Sequence, residues 1–169
     1  MTAALNDSNA AVRKAAVLAL GNMSFDLNRP DATISLGPGV TLEFTRRFAR
    51  ESDAKVRTEL VKCLALCSDD SFELRDVLAR AFDDQAPGVR QFAIAGAERL
   101  KAPEYTNRLF TVVRNDVPEL RLAAARAIGS YGAVMRDRVD ELKTLKDREG
   151  ASKLRDLLDQ AIRHIESSR

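Results

Sequence analysis

Two cysteines four residues apart are the first candidates for chemistry in this sequence. Cys63 and Cys67 fall on one face of a predicted helix, a spacing that suits a redox pair or half of a metal site. A tetrahedral zinc site would need about two further ligands, and the single histidine, His164, lies far along the chain. Both cysteines also fall in the apolar columns of a repeat described below. We therefore interpret them as small core residues and predict no metal site and no cofactor.

Acidic pairs at predicted turns are the second candidates. Asp69-Asp70 and Asp83-Asp84 could act as a general acid and base, but helix capping explains acidic residues at turns without any catalysis. The sequence contains no glycine-rich phosphate loop, no Gly-x-Ser-x-Gly motif and no cysteine close to a histidine. We predict a protein that is not an enzyme.

The composition indicates a helical protein with a core of small and aliphatic side chains. The chain has 169 residues, of which 45% are hydrophobic and 31% charged, with 7 Phe, 2 Tyr and no Trp. Its net charge of +2 argues against nucleic-acid binding through bulk charge. No stretch is apolar enough to span a membrane and the first residues do not form a signal peptide, so we expect a soluble, cytoplasmic protein.

One pattern recurs five times along the chain: an aliphatic residue, then arginine, then apolar or small residues at helical spacing. Counting the aliphatic residue as position 0, positions +4 and +8 are apolar and position +7 is small in every copy. These positions share one helix face, which predicts close helix packing there. The five pairs are Val12-Arg13, Val56-Arg57, Val89-Arg90, Leu120-Arg121 and Leu154-Arg155.

Each pattern follows a shorter apolar-periodic segment and a turn, so the repeating unit is predicted to be helix, turn, helix. We expect one domain, 1–169, with units at about 1–23, 40–67, 70–100, 103–132 and 134–168 and an inserted loop at 24–40. The first unit has almost no first helix. The first helices are predicted at about 40–50, 71–82, 104–114 and 134–146, and the second helices at about 10–23, 54–67, 87–100, 118–131 and 151–166.

These repeats resemble the HEAT-repeat family. The resemblance rests on Asp7-x4-Val12-Arg13-x2-Ala15-Ala16, on Asp84-x4-Val89-Arg90-x2-Ala93 and on Asn115-x4-Leu120-Arg121-x2-Ala124, and it covers nearly the whole chain. It implies an all-α, right-handed α-α superhelix, or solenoid, of about five helical hairpins. It also implies a ladder between turn residues and second-helix arginines. The second unit departs from the pattern because Glu51 occupies the aspartate position, and the fifth has Asp147, Glu149 and Gly150 around its turn but no Asp at the matching position. The ladder residues would be Asp7, Arg13, Arg57, Asp84, Arg90, Asn115 and Arg121.

The resemblance further implies that the second helices line a concave face where a partner docks. We therefore expect a protein-interaction scaffold that binds a partner peptide or protein through side chains pointing away from the apolar columns, with added contacts from the inserted loop. A solvated face without a partner is the simpler alternative. The candidate binding residues are Lys14, Leu18, Thr58, Lys62, Gln91, Leu122 and Arg126, and the candidate loop contacts are Phe25, Leu27, Arg29, Ile34 and Leu36.

Three other possibilities stay open at this point. HEAT-like bilin lyases or isomerases of phycobiliprotein maturation have similar repeats, although no motif here singles them out. Arginine clusters at 46–50 and 136–138 could contact a nucleic acid, but the absence of Trp removes most base stacking, and nucleic acid is not the expected partner. The uncovered first repeat could belong to a longer array or mediate self-association.

Overall fold

The structure is a computed structural model that describes residues 2–23 and 36–168. Within these ranges the chain forms nine α-helices and three short 3-10 segments. The all-α prediction is confirmed, whereas the right-handed superhelix stays a prediction. The helices are α1 (Ala10–Met23), α2 (Pro38–Phe48), α3 (Ala54–Ala65), α4 (Phe72–Ala81), α5 (Pro87–Leu100), α6 (Thr106–Asn115), α7 (Pro118–Ser130), α8 (Val139–Arg148) and α9 (Ser152–Ser167), and the 3-10 segments are Thr2–Asn6, Pro103–Tyr105 and Gly132–Arg138.

Even-numbered helices are the first helices of the hairpins and odd-numbered helices are the second. Their bounds agree with the predicted ones to within a few residues, except before α8. There we predicted a continuous α-helix from Val134, which is wrong, because Gly132–Arg138 is a 3-10 segment and α8 begins only at Val139. Gly132 follows α7 with a φ of +56°, a left-handed conformation that glycine adopts at little energetic cost and that ends the preceding helix.

Capping residues explain where several helices begin. The Asp53 side chain accepts hydrogen bonds from the backbone N–H groups of Lys55 and Val56 at the start of α3, and Ser71 caps α4 in the same way. Pro87 and Pro118 occupy the first positions of α5 and α7, where the missing N–H has no helical partner to lose. The helix starts are therefore set by local sequence.

The repeated apolar columns form the core. At position 0 of the repeat, Val56, Val89, Leu120 and Leu154 are at most 4% exposed, whereas Val12 of the first unit is 39% exposed. In the first unit only the 3-10 segment Thr2–Asn6 precedes α1, and its Leu5 is fully buried. The first repeat thus leaves part of α1 exposed to solvent.

The chain divides into two compact units, Met1–Gly96 and Ala97–Arg169. In the first unit α3 packs against α1, α2 and α4; in the second unit α7 packs against α6 and α9, and α8 packs against α9. The single domain 1–169 stays a prediction. The predicted loop contacts Phe25, Leu27, Arg29 and Ile34 lie outside the described residues, whereas Leu36 is described and buried.

Candidate interaction site

A buried ion pair links α1 to the turn that precedes α3. Arg13 donates from Nε to Glu51 Oε2 at 2.8 Å and from Nη2 to Glu51 Oε1 at 2.6 Å. Arg47 reaches the same carboxylate, from Nε at 2.9 Å and from Nη2 at 2.8 Å, and the Asp53 backbone N–H donates to Oε1 at 2.9 Å. Glu51 therefore binds two arginines at the place where an aspartate was expected, and its departure from the family pattern does not interrupt this contact.

These hydrogen bonds determine the ionisation of Glu51. Burial by itself would raise the pKa of this carboxyl group, but the hydrogen bonds from Arg13, the Asp53 backbone and Arg47 outweigh burial and lower its pKa to about 2. The side chain of Glu51 has no exposed surface. The carboxylate is thus charged at neutral pH and serves as a structural anion.

The same contact recurs further along the chain. Arg57 donates to Asp84 from Nε at 2.7 Å and from Nη2 at 2.9 Å, and Arg121 pairs with Glu149. Glu149 lies six residues before Arg155, the same offset that separates Glu51 from Arg57, although no Asp stands there. A glutamate can therefore occupy the turn position in two of the units.

The ladder arginines also donate hydrogen bonds to the backbone of the turn that precedes their own helix. Arg13 donates from Nη1 to the backbone carbonyl oxygens of Asp7 and Ser8 at 2.9 and 3.0 Å, and Arg90 makes the equivalent bonds to the carbonyls of Asp84 and Gln85 at 2.8 and 3.0 Å. These carbonyls lie in the turns, outside the helical hydrogen-bond ladder, so the arginine satisfies groups that would otherwise need water. Each arginine therefore stabilises a turn from within its own hairpin.

The two remaining ladder candidates are Asp7 and Asn115. The Asp7 carboxylate accepts a hydrogen bond from the backbone N–H of Asn9 at 2.7 Å, a capping contact. Asn115 is exposed at the end of α6. Arg121, six residues later, donates from Nε to the carbonyl oxygen of Val113 at 2.6 Å. A rung between Arg90 and Asn115 stays a prediction.

Both lysines among the candidate binding residues lie close to Glu59 within the compact unit Met1–Gly96. Lys14 Nζ lies 3.7 Å from Glu59 Oε1, and Lys62 Nζ lies 3.6 Å from Glu59 Oε2. Glu59 itself is mostly buried. Thr58 is close to α5, because a Cβ atom on Gly88 would lie 3.3 Å from its side chain. The two positive charges expected to face a partner are thus partly neutralised by the glutamate between them.

The other candidates differ in exposure. Leu18 and Leu122 are half-buried, whereas Gln91 and Arg126 are exposed. Arg126 lines a groove between α7 and α9, which encloses a cavity of about 260 Å³. It is lined by Ala125, Arg126, Gly129, Ser130, Leu157, Gln160, Ala161 and His164.

The close approach of α7 and α9 gives the groove its small, apolar floor. A Cβ atom on Gly129 would lie 3.3 Å from the backbone of Ala161, so the two helices nearly touch at this point. Leu157 is half-buried on one side. Arg126 and His164 are exposed and place polar groups above the floor. The groove can therefore hold an apolar side chain with a polar or acidic group beside it.

Sequence reasoning identified Arg126 in this groove but missed Leu157, Gln160 and His164. Leu157 occupies position +3 of the last repeat, where Ala15 and Glu59 stand in the first two. Position +3 has no fixed residue type in the repeats, so the large apolar side chain of Leu157 at this position was the signal in the sequence that could have indicated the groove. The sequence gives no comparable signal for His164, which lies one helical turn after Gln160 on α9.

Arg136 and Arg138 both form hydrogen bonds with other residues of the protein. Arg138 donates from Nε to Glu141 at 2.7 Å, and its guanidinium lies 4.1 Å from the centre of the Phe110 ring. Arg136 donates to the backbone carbonyl of Ser168. A partly buried, paired arginine contributes little to long-range attraction of phosphates. This cluster has a structural role within the second unit.

The cysteines are buried and reduced in the structure. Burial raises the pKa of the Cys63 thiol to about 11, so this thiol is a poor nucleophile at neutral pH. Among the residues the structure describes, no group of three or more His, Cys, Asp or Glu side chains could hold a metal ion. Likewise, no helix within 2–23 and 36–168 is long and apolar enough to cross a membrane.

Comparison with known proteins identifies the repeats. A family model for HEAT repeats matches residues 41–129 and 74–164, and a second model, for a single HEAT repeat, matches residues 1–27. The matched ranges contain the buried columns and the arginine contacts described above. No curated protein matches the chain.

Proposed function

Because the chain belongs to the HEAT-repeat family, we propose that it is a non-enzymatic, cytoplasmic protein-interaction module that binds a partner segment on the face of its second helices. HEAT repeats generally act as protein-interaction scaffolds, since stacked repeats offer an extended surface for a partner. The groove between α7 and α9 is the observation that carries the proposal.

The groove suits a short peptide with one apolar anchor. Its floor of Ala125, Gly129 and Ala161 is nonpolar and narrow, and Leu157 adds apolar surface at one side. The exposed Arg126 guanidinium can form a charge-assisted hydrogen bond with a carboxylate of the partner. We therefore expect a partner segment in which an aliphatic or aromatic residue lies close to Asp or Glu.

Selection from a random peptide library displayed on phage, with the whole protein as target, tests this proposal directly. We expect selected peptides to share an apolar residue next to an acidic one. Their affinity, measured by fluorescence anisotropy, should fall at least about 10-fold for Arg126→Glu and for Leu157→Asp. Arg148→Glu, the same charge reversal on an exposed residue of α8, is the matched control and should leave the affinity unchanged.

The location of binding provides the second readout. Amide resonances of α7 and α9 should shift when a selected peptide is added to isotope-labelled protein. If the selected peptides bind Arg126→Glu as tightly as the wild type, the groove is not the binding site. If the shifts map to first helices instead, the second-helix face is the wrong surface.

A further inference from the structure

Phe72, the first residue of α4, is 80% exposed. The buried residues of α4 are Leu74, Val77, Leu78 and Ala81, so Phe72 lies outside the face that α4 packs into the core. Burial of a phenylalanine side chain is favourable, and the fold leaves most of that gain unused at this residue.

A groove between the first helices α2 and α4 brings a second apolar residue beside Phe72. This groove encloses a cavity of about 300 Å³, and Leu42, 37% exposed, lies on its α2 side. Val77 and Thr45 are buried and form its base. This surface, the first-helix groove, is also lined by the charged residues Arg46, Glu73, Asp76 and Arg80.

The charges along the first-helix groove are unevenly distributed. Glu73 stands next to Phe72 at the start of α4, whereas Arg46 lies one turn beyond Leu42 on α2. Arg80, near the end of α4, is already paired with Asp76. The groove thus has an apolar end next to an acidic residue and a basic end at Arg46.

A second cavity continues the basic end. It measures about 240 Å³ and is lined by Asn6, Glu43, Arg46, Arg47 and Arg50, so it shares Arg46 with the first-helix groove. Arg47 is held by Glu51. Arg46 and Arg50 are exposed, and the described residues provide no side-chain partner for either. They are one helical turn apart, and the described residues show no ion pair between either of them and Glu43, the carboxylate that lines the same cavity, so both guanidinium groups are available to a ligand.

We propose that this surface docks an acidic amphipathic segment of a partner protein, whose apolar residue sits between Leu42 and Phe72 and whose carboxylates bind Arg46 and Arg50. The charges fix the direction of the segment. Its acidic end lies toward Arg46 and Arg50, because Glu73 repels carboxylates from the apolar end. The site is independent of the groove between α7 and α9 and would remain if that proposal failed.

The apolar contact and the charge contact support each other energetically. Exposed arginine pairs contribute little alone, because water screens them. An apolar residue anchored at Phe72 removes water from the neighbouring groove and positions the following carboxylates, so each contact reduces the entropy lost in forming the other. We therefore expect removal of either contact to abolish most of the binding.

Two labelled peptides test the proposal with the full chain. The acidic probe carries two leucines four residues apart followed by three glutamates, and the basic probe has lysines in place of the glutamates. Fluorescence anisotropy should show binding of the acidic probe at least about 10-fold tighter than that of the basic probe. Binding of the acidic probe should weaken as salt increases.

Four variants locate the binding surface. Arg46→Glu combined with Arg50→Glu should weaken the acidic probe at least about 10-fold, and so should Phe72→Ser. Arg155→Glu reverses an exposed charge on α9, and Val134→Ser removes an apolar side chain that is 49% exposed; both controls should bind like the wild type. Circular dichroism of every variant checks that the fold is retained.

Three results would overturn the proposal. The first is no binding of the acidic probe at millimolar concentration by the folded wild type. The second is equal binding of both probes, or binding that does not respond to Arg46→Glu with Arg50→Glu. The third is self-association of the wild type in sedimentation experiments that Phe72→Ser abolishes, because the occupant of the groove would then be a second copy of the chain.

Discussion

Arg13 donates two hydrogen bonds to Glu51 across 38 positions of the sequence, and both side chains are buried. This ion pair connects α1 to the turn that precedes α3, so it spans two neighbouring repeats. Arg57 and Asp84 make the same connection one repeat later. Nearest-neighbour contacts of this kind hold repeat proteins together, since distant repeats do not touch.

Removal of Glu51 should be strongly destabilising. Glu51→Ala leaves the guanidinium of Arg13 buried without its counter-ion, and loss of one partner of a buried pair typically lowers the free energy of unfolding by about 3–5 kcal/mol. Chemical denaturation measures this change. Glu98→Ala removes an exposed glutamate of α5 and should change the free energy of unfolding by less than about 0.5 kcal/mol. A similar small effect of Glu51→Ala would show that Arg13 finds another partner.

Acid should lower the free energy of unfolding because it protonates Glu51. The pKa of Glu51 is about 2 in the folded chain, below its ordinary value of 4.5. Its stabilising contribution is therefore complete above about pH 4.5 and is lost as the pH falls toward 2; for this shift it amounts to about 3 kcal/mol. Asp84, whose pKa is also lowered by Arg57 despite burial, adds to the loss in the same direction.

The comparison of wild type with Glu51→Gln isolates this contribution. Unfolding free energies measured at constant salt between pH 5 and pH 2 should fall more steeply for the wild type than for Glu51→Gln, which has no carboxyl group to protonate. Parallel curves would mean that Glu51 does not determine the acid sensitivity.

The sequence predicted the parts of this fold that depend on helical periodicity. Val56, Leu60 and Cys63 share a helix face by spacing alone, and all three are buried. It placed Glu51 at the aspartate position of the ladder but did not predict that Glu51 keeps the contact with Arg13. A glutamate is one methylene longer, yet Glu51 accepts the Asp53 N–H two residues on, as Asp84 accepts the Ala86 N–H. In three units this position holds a carboxylate that pairs with an arginine, and both side-chain lengths reach it.

The candidate site was less predictable because it depends on contacts between helices. Lys14 looks like a free surface charge in the sequence, and only the packing of α1 against α3 brings Glu59 to it, whereas the pair of Glu59 with Lys62 follows from their i,i+3 spacing on α3. Gly132 ends α7, but nothing in its neighbours specifies that the next turn is a 3-10 segment. The surroundings of a side chain at a contact between two helices therefore do not follow from the sequence alone and require the structure.

Charge reversal at the two lysines should reduce stability. Lys14→Glu and Lys62→Glu each place a second carboxylate close to the mostly buried Glu59, so repulsion replaces attraction, and we expect a loss of about 1–2 kcal/mol in each case. Arg126→Glu, at an exposed residue, should leave the free energy of unfolding within about 0.5 kcal/mol of wild type. Thermal and chemical unfolding test this contrast. Equal stability of all three variants would contradict the pairing at Glu59.

The Cys63 thiol should be protected in the native protein. Burial raises its pKa to about 11, and the reagent has no access to a side chain that is 5% exposed. Ellman's reagent at pH 8 should modify this thiol only as fast as the protein unfolds, and rapidly in denaturant. A Cys67→Ser variant makes the assignment to Cys63 unambiguous. Fast stoichiometric modification of that folded variant would show that the helix interface opens.

Gly21 and Cys63 should be energetically coupled. A Cβ atom on Gly21 would lie 2.7 Å from Cys63 Sγ, a distance at which either the Cys63 side chain or one of the two helices must move. Gly21→Ala should therefore destabilise the protein by about 1–3 kcal/mol, even though alanine is about 1 kcal/mol better than glycine inside a helix. In a Cys63→Ala background the sulfur is gone and the next atom, the Cβ, lies at an ordinary 3.9 Å.

The sign of the Gly21→Ala effect should consequently reverse in that background. With the steric conflict removed, the helix propensity of alanine dominates, and Gly21→Ala should be neutral or stabilise Cys63→Ala by up to about 1 kcal/mol. Gly39→Ala is the control, because no atom lies within 4 Å of its added Cβ, and its effect should be the same with either residue at position 63. A double-mutant cycle from urea unfolding measures the coupling. If Gly21→Ala has one and the same effect in both backgrounds, α1 and α3 are not held at the separation that the structure gives them.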